Sequence, residues 1–145
     1  MLWRMREELS PAMRIEGQII RNDISVPIGR LPELIERGYP LIASLAPGGR
    51  LLPFGHVGDG NLHSNIMLPF DTPDIAALRE RVQHAVCDLV QELGGSISAE
   101  HGIGRLKAEE LAARKAPLEI ELMRRLKDAL DPAGTLNPGV ILAAG

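Results

Sequence analysis

Two histidines seven residues apart, mirrored about an Asp-Gly pair, constrain this chain more than any other feature. The segment Phe54-Gly-His-Val-Gly-Asp-Gly-Asn-Leu-His-Ser-Asn65 reads as a β-hairpin, because Asp-Gly is a favoured pair for a two-residue type I′ turn. With Asp59-Gly60 at the tip, Gly58 opposes Asn61, Val57 opposes Leu62 and His56 opposes His63. Opposed residues on an antiparallel pair share a face, with Cβ atoms about 5 Å apart. On one straight strand this separation would send the imidazoles to opposite faces, and the turn corrects that parity. Asn65 follows His63 on the same face, while Leu62, Ile66 and Leu68 take the other, where a core wants them. A loop longer than two residues changes the pairing but keeps the residues clustered. A single histidine of this kind is usually a satisfied core residue, whereas two mirrored about a turn point to a shared polar or metal site.

A second constellation follows in Ser96-Ile-Ser-Ala-Glu-His-Gly-Ile-Gly104. Neighbours on a strand point to opposite faces, so Glu100 and His101 serve one site only where the chain turns, and Gly102 and Gly104 permit that turn. Two imidazoles and a carboxylate are a common ligand set for Zn²⁺ or another first-row divalent ion with positions left open for substrate, which suits catalysis better than a structural clip. His84 sits off the apolar stripe of its helix and reads as solvated, and Cys87 reads as packing rather than as a nucleophile.

The rest of the chain reads as α+β, an antiparallel sheet packed against helices. Helical spacing marks Met1–Met13, Leu31–Leu45 (interrupted at Pro40), a long helix starting in Asp71-Thr-Pro-Asp74 and running to about Leu93, Leu106–Lys115 and Leu118–Leu130. Gln18–Pro27 reads as one strand, with Ile20, Asn22, Ile24 and Val26 on alternate positions. Ser96–Glu100 reads as a short strand, and Leu136–Leu142 as a closing segment. Aromatic residues are only 3%, so the core is aliphatic. The formal net charge of −3 gives nucleic acid no electrostatic reason to bind. No apolar run is long enough for a membrane span, no signal peptide is evident, and the single cysteine fits a reducing, cytoplasmic setting. No dinucleotide fingerprint, phosphate loop, GxSxG or CxxC motif is present.

Three motifs together carry a specific likeness: His56-Val-Gly-Asp-Gly-Asn-Leu-His63, Ser98-Ala-Glu-His-Gly-Ile-Gly104 and Leu130-Asp-Pro-Ala-Gly-Thr-Leu-Asn-Pro-Gly139. In that order they resemble the C-terminal half of FAD-linked 2-hydroxyacid oxidases and dehydrogenases, a family that includes D-2-hydroxyglutarate dehydrogenase, D-lactate dehydrogenase and the flavin subunit of glycolate oxidase. The resemblance spans the whole chain. It implies that residues 1–145 are the substrate (cap) domain of a two-part enzyme, without the N-terminal flavin-binding domain. It further implies that His56, His63 and Glu100 hold a divalent metal, usually zinc, that His101 is the base, and that Asn65 contacts substrate. Arg6 and Ser10, in Trp3-Arg-Met-Arg6 and after it, match substrate-contacting positions. Arg21 stands where the family carries a lysine, replacing a point donor by a planar fork, and Asn137 matches a position beside the flavin.

The expected activity is therefore metal-assisted, FAD-dependent oxidation of a D-2-hydroxyacid of 2-hydroxyglutarate, lactate or glycolate type to the 2-oxoacid, with the fragment alone inactive and self-association, as a homodimer, unsurprising. The alternatives are a stand-alone metal- or ligand-binding module without redox chemistry, and a structural domain whose histidines satisfy each other.

Overall fold

The computed structural model describes residues 2–142, apart from the side chains of Leu2, Arg6 and Ser10. Two compact units follow one another in the chain, residues 1–100 and 101–145.

The first unit is a sheet with helices laid on one face. Its elements are α1 (Leu2–Glu16), β1 (Gln18–Ile20), β2 (Asp23–Ser25), α2 (Leu31–Leu45), β3 (Arg50–His56), β4 (Asn61–Leu68) and α3 (Ile75–Glu92). β4 is the central strand. β3 pairs with it antiparallel along one side, while β1 and β2 line the other. The strand expected over Gln18–Pro27 is thus divided in two, yet both pieces keep one register: Ile20 opposes Ile66 and Asp23 opposes His63. At the division the Asn22 carbonyl accepts from the Ser64 N–H at 2.9 Å, and the Asn22 side-chain amide donates to the Ser64 carbonyl at 3.0 Å. A side chain replaces the backbone in the ladder for one step, and the faces do not flip.

Strand periodicity then sorts the residues. Ile20, Ile24, Leu51, Leu62, Ile66 and Leu68 occupy one face and pack on Leu31, Leu34 and Ile42 of α2 and on Leu78, Val82, Val86, Leu89 and Val90 of α3. This face is the aliphatic core, and Ile20, Ile66, Val82 and Val90 are fully enclosed. Cys87 is buried with it, and His84 is exposed beside Asp88, as their positions on α3 suggest. The other face carries His56, Asn61, His63, Asn65 and Asp23.

Several boundaries differ from the sequence reading for local reasons. α1 runs on to Glu16, and α2 continues through Pro40 without a break. α3 starts within the expected Asp71–Asp74 segment, at Asp74 as N-cap: its backbone is left-handed (φ 44°) and its carboxylate accepts from the Ala77 N–H. Ser96–Glu100 is not a strand. Only Ser96 bridges to Ser25, and the chain then leaves the sheet.

The second unit holds α4 (Ala108–Arg114) and α5 (Pro117–Leu130), followed by a non-repetitive tail to Leu142. The Glu119 carboxylate reaches back to the Ala116 N–H and caps α5. Past α5, the buried Asp131 side chain accepts from the Thr135 and Leu136 N–H groups at 3.0 and 2.9 Å, and pairs with Lys127, which also donates to the Leu136 carbonyl. These bonds wrap the turn that presents Asn137, itself left-handed at φ 47°. The Lys127 ammonium and the two backbone N–H groups lower the Asp131 pKa from 3.8 to about 2. A lowered folded-state pKa stabilises above the unfolded value and is lost below it. Asp131→Asn should therefore lower the thermal midpoint at neutral pH, and the gap from wild type should shrink as pH falls from 3.8 to about 2, measured by calorimetry across that range. An equal gap at every pH would show that the carboxylate charge contributes nothing.

Candidate functional site

The hairpin turn is wider than expected. A type I′ turn needs φ above zero at both central residues, and of Asp59 and Gly60 only the glycine has it, at φ 76°. The chain spends four residues, Val57–Gly60, between the strands, so His56 opposes Asn61 and His63 opposes Phe54. The Asp59 carboxylate supports this turn locally by accepting the Asn61 N–H at 3.0 Å. The correction moves the pairing by two residues, one full strand period, so both imidazoles still emerge from the same face. Gly60 is required here because a Cβ would lie 2.0 Å from the Val26 carbonyl oxygen. That contact docks the turn against the chain leaving β2, where the Val26 N–H donates to the Gly60 carbonyl at 3.1 Å.

The two rings sit with centroids 6.1 Å apart and nearly perpendicular. Glu100 comes to them from outside the sheet. Its Oε1 lies 3.4 Å from His56 Nε2 and its Oε2 4.0 Å from His63 Nε2, and one donor atom from each of the three residues falls within 4.8 Å of the others. Tetrahedral zinc with bonds near 2.0–2.1 Å separates its donors by roughly 3.4 Å. The set therefore fits a divalent cation after a small inward movement of side chains. Fit is favoured by chemistry as well as by distance: imidazole and carboxylate are borderline-to-hard donors suited to zinc and its neighbours. His56 and Glu100 are partly open to solvent, so positions on such an ion face outward.

A residue that sequence reasoning did not select holds this arrangement together. Asp23, only 4% exposed, stands opposite His63 on the site face. Its Oδ2 accepts the backbone N–H groups of Ala99 and Glu100 at 3.1 and 2.9 Å, and its Oδ1 lies 3.7 Å from His63 Nδ1. One buried carboxylate thus fastens the segment carrying Glu100 to the sheet and faces the ring nitrogen of His63 that is turned away from Glu100. The available signal was its parity: Ile20 and Ile24 face the core, so an odd-numbered carboxylate between them faces the histidines.

The remaining expected site residues fall in different places. Asn65 is buried on the site face opposite Leu52. The shared register of β1 and β2 places exposed Arg21 opposite Asn65, on that same face. His101 belongs to the second unit and is exposed, ahead of left-handed Gly102 and Gly104. Asn137 is exposed in that unit's tail. The side chains of Arg6 and Ser10 lie outside the described residues.

Comparison with known proteins agrees with the three motifs. The family model described as FAD linked oxidases, C-terminal domain, matches residues 1–141. The chain belongs to this family. Its relatives include the D-2-hydroxyglutarate dehydrogenase of Stutzerimonas stutzeri, 39% identical over 99% of this chain and 31% of the relative. The mitochondrial D-2-hydroxyglutarate dehydrogenase of Rattus norvegicus is 37% identical over 99% of this chain and 26% of the relative, and that of Bos taurus 39% over 95% and 24%. The chain therefore spans less than a third of the length of these relatives. It is a member of an FAD-linked oxidoreductase family, and no described helix is long and apolar enough to cross a membrane. The occurrence of mitochondrial relatives leaves the cytoplasmic expectation without support from the comparisons.

Removing Asp23 tests the support it provides. Asp23→Ala should weaken zinc binding by about 10–100-fold, the usual effect of losing the partner of a metal-bound histidine, as measured by competition titration with a chromogenic chelator. Unchanged affinity in a folded variant would mean that Glu100 is placed by something else.

Proposed function

We propose that this chain supplies the substrate-side half of a flavin-dependent oxidoreductase that converts a D-2-hydroxyacid to its 2-oxoacid with the help of a divalent cation held by His56, His63 and Glu100. The observation that carries the reading is the convergence of those three side chains on one face of the sheet, in a family named for its linked FAD. Relatives named D-2-hydroxyglutarate dehydrogenase support a D-2-hydroxyacid as the substrate class.

A divalent cation bound there supplies Lewis acidity, which lowers the pKa of a coordinated hydroxyl. The flavin, when present, supplies the two-electron acceptor. The resemblance places Asn137 beside the flavin, and no redox step is assigned to this chain's side chains. Their work is to bind and orient. Asn65 presents an amide beside His63 on the site face, suited to a hydroxyl or carboxylate oxygen of the substrate. Arg21, on the same face, offers a guanidinium fork that donates paired hydrogen bonds to a carboxylate. The resemblance assigns substrate contacts to Arg6 and Ser10 as well. His101 takes the hydroxyl proton at an imidazole nitrogen, the side chain most often used for general acid–base work.

Two substitutions separate the roles. His56→Ala should abolish stoichiometric zinc in the purified chain, read by elemental analysis after dialysis. Retained zinc would remove His56 from the ligand set. In the intact flavoenzyme, His101→Ala should leave zinc content unchanged and lower kcat by about 10²–10⁴-fold. Near wild-type turnover on every D-2-hydroxyacid in a panel would dismiss His101 as the base.

A further inference from the structure

Asn61 presents a buried amide that the site as described does not use. The residue is 3% exposed, and neither its side-chain oxygen nor its side-chain nitrogen has a hydrogen-bond partner among the described residues. More than nine in ten buried polar groups in folded proteins are satisfied, and an unmet buried group is costly. Such an amide calls for a partner close at hand.

The register names that partner. Asn61 stands directly opposite His56, on one face, with Cβ atoms about 5 Å apart by strand geometry. The neighbouring histidine shows the same cross-strand placement of ring and oxygen-bearing side chain. His63 stands opposite Asp23, whose carboxylate faces Nδ1 at 3.7 Å while Nε2 faces Glu100 at 4.0 Å. His56 likewise turns Nε2 toward Glu100, at 3.4 Å, which directs Nδ1 to the other side of its ring. Each histidine is thus cross-strand paired with an oxygen-bearing side chain. The backbone around Asn61 is held at both ends of the turn: the Asp59 carboxylate accepts its N–H at 3.0 Å, and the Asp59 N–H donates to the His56 carbonyl at 3.3 Å.

We propose that Asn61 is the positioning residue for His56. Its side-chain carbonyl accepts the Nδ1–H of the imidazole, which fixes the tautomer that leaves the Nε2 lone pair directed at Glu100. A metal-bound histidine almost always donates its other N–H in this way, which sets ring orientation and basicity. The consequence for metal affinity rests on the cation reading given above, whereas the hydrogen bond itself does not.

The test uses the ¹⁵N-labelled 145-residue chain at mildly alkaline pH, without metal and with zinc. Long-range ¹H–¹⁵N spectra report which nitrogen of His56 carries the proton. The metal-free wild type is expected to show Nδ1–H, Asn61→Asp to retain it because an acceptor remains, and Asn61→Leu to lose it. Zinc affinity should fall about 10–100-fold in Asn61→Leu and be rescued in Asn61→Asp, a pattern that a purely structural role would not produce. An Nε2–H tautomer in the wild type overturns the proposal, and so does a folded Asn61→Leu chain with wild-type zinc affinity. Should Asn61→Leu not fold, the wild-type tautomer decides. If the wild type shows the Asn61-dependent tautomer yet binds no zinc, the Asn61 assignment stands and the cation reading fails.

Discussion

One buried carboxylate organises the candidate site. Asp23 accepts two successive backbone N–H groups, of Ala99 and Glu100, on one oxygen, and these bonds hold the Glu100 carboxylate near two imidazoles that a hairpin has already gathered. Charge-assisted hydrogen bonds to a buried carboxylate are among the stronger polar interactions in proteins, and burial raises the cost of breaking them. Without them Glu100 would sit on a segment that has just left the sheet beyond the Ser25–Ser96 bridge.

The sheet makes this possible by dividing labour between its faces. The aliphatic face, enclosed by α2 and α3, contributes the hydrophobic stabilisation, so the opposite face is free to carry Asp23, Asn61, His63 and Asn65, all buried or half-buried and all polar. Polar groups grouped on one buried face need partners among themselves or from a ligand. Asp23 has found some of its own, and the buried amide of Asn61 still awaits one among the described residues. Both residues lie one cross-strand step from a histidine.

Much of this was legible in the amino-acid order. Period-two alternation gave β4 its two faces, and the mirrored histidines placed a polar cluster on one of them, because a shift of two residues in pairing leaves parity intact. The turn width was not legible. Asp-Gly serves equally a two-residue type I′ turn and a four-residue turn in which the Asp carboxylate accepts a backbone N–H, and only the latter occurs. The role of Asp23 was hidden because its bonds run to residues 76 and 77 positions away, a separation that no local pattern encodes. Helical periodicity also says nothing of what covers a stripe: Leu118, Leu122, Leu126 and Leu130 recur every fourth residue on α5 and stay exposed, while Ile120 is the buried one.

The central claim is that His56, His63 and Glu100 bind one ion together. X-ray absorption at the zinc edge of the zinc-loaded chain tests it most directly. The account predicts two imidazole shells and at least one oxygen at about 2.0–2.1 Å, with the outer-shell scattering that only imidazole rings produce, and one imidazole fewer in His63→Ala. Zinc surrounded by oxygen alone, with no imidazole signature, would contradict it.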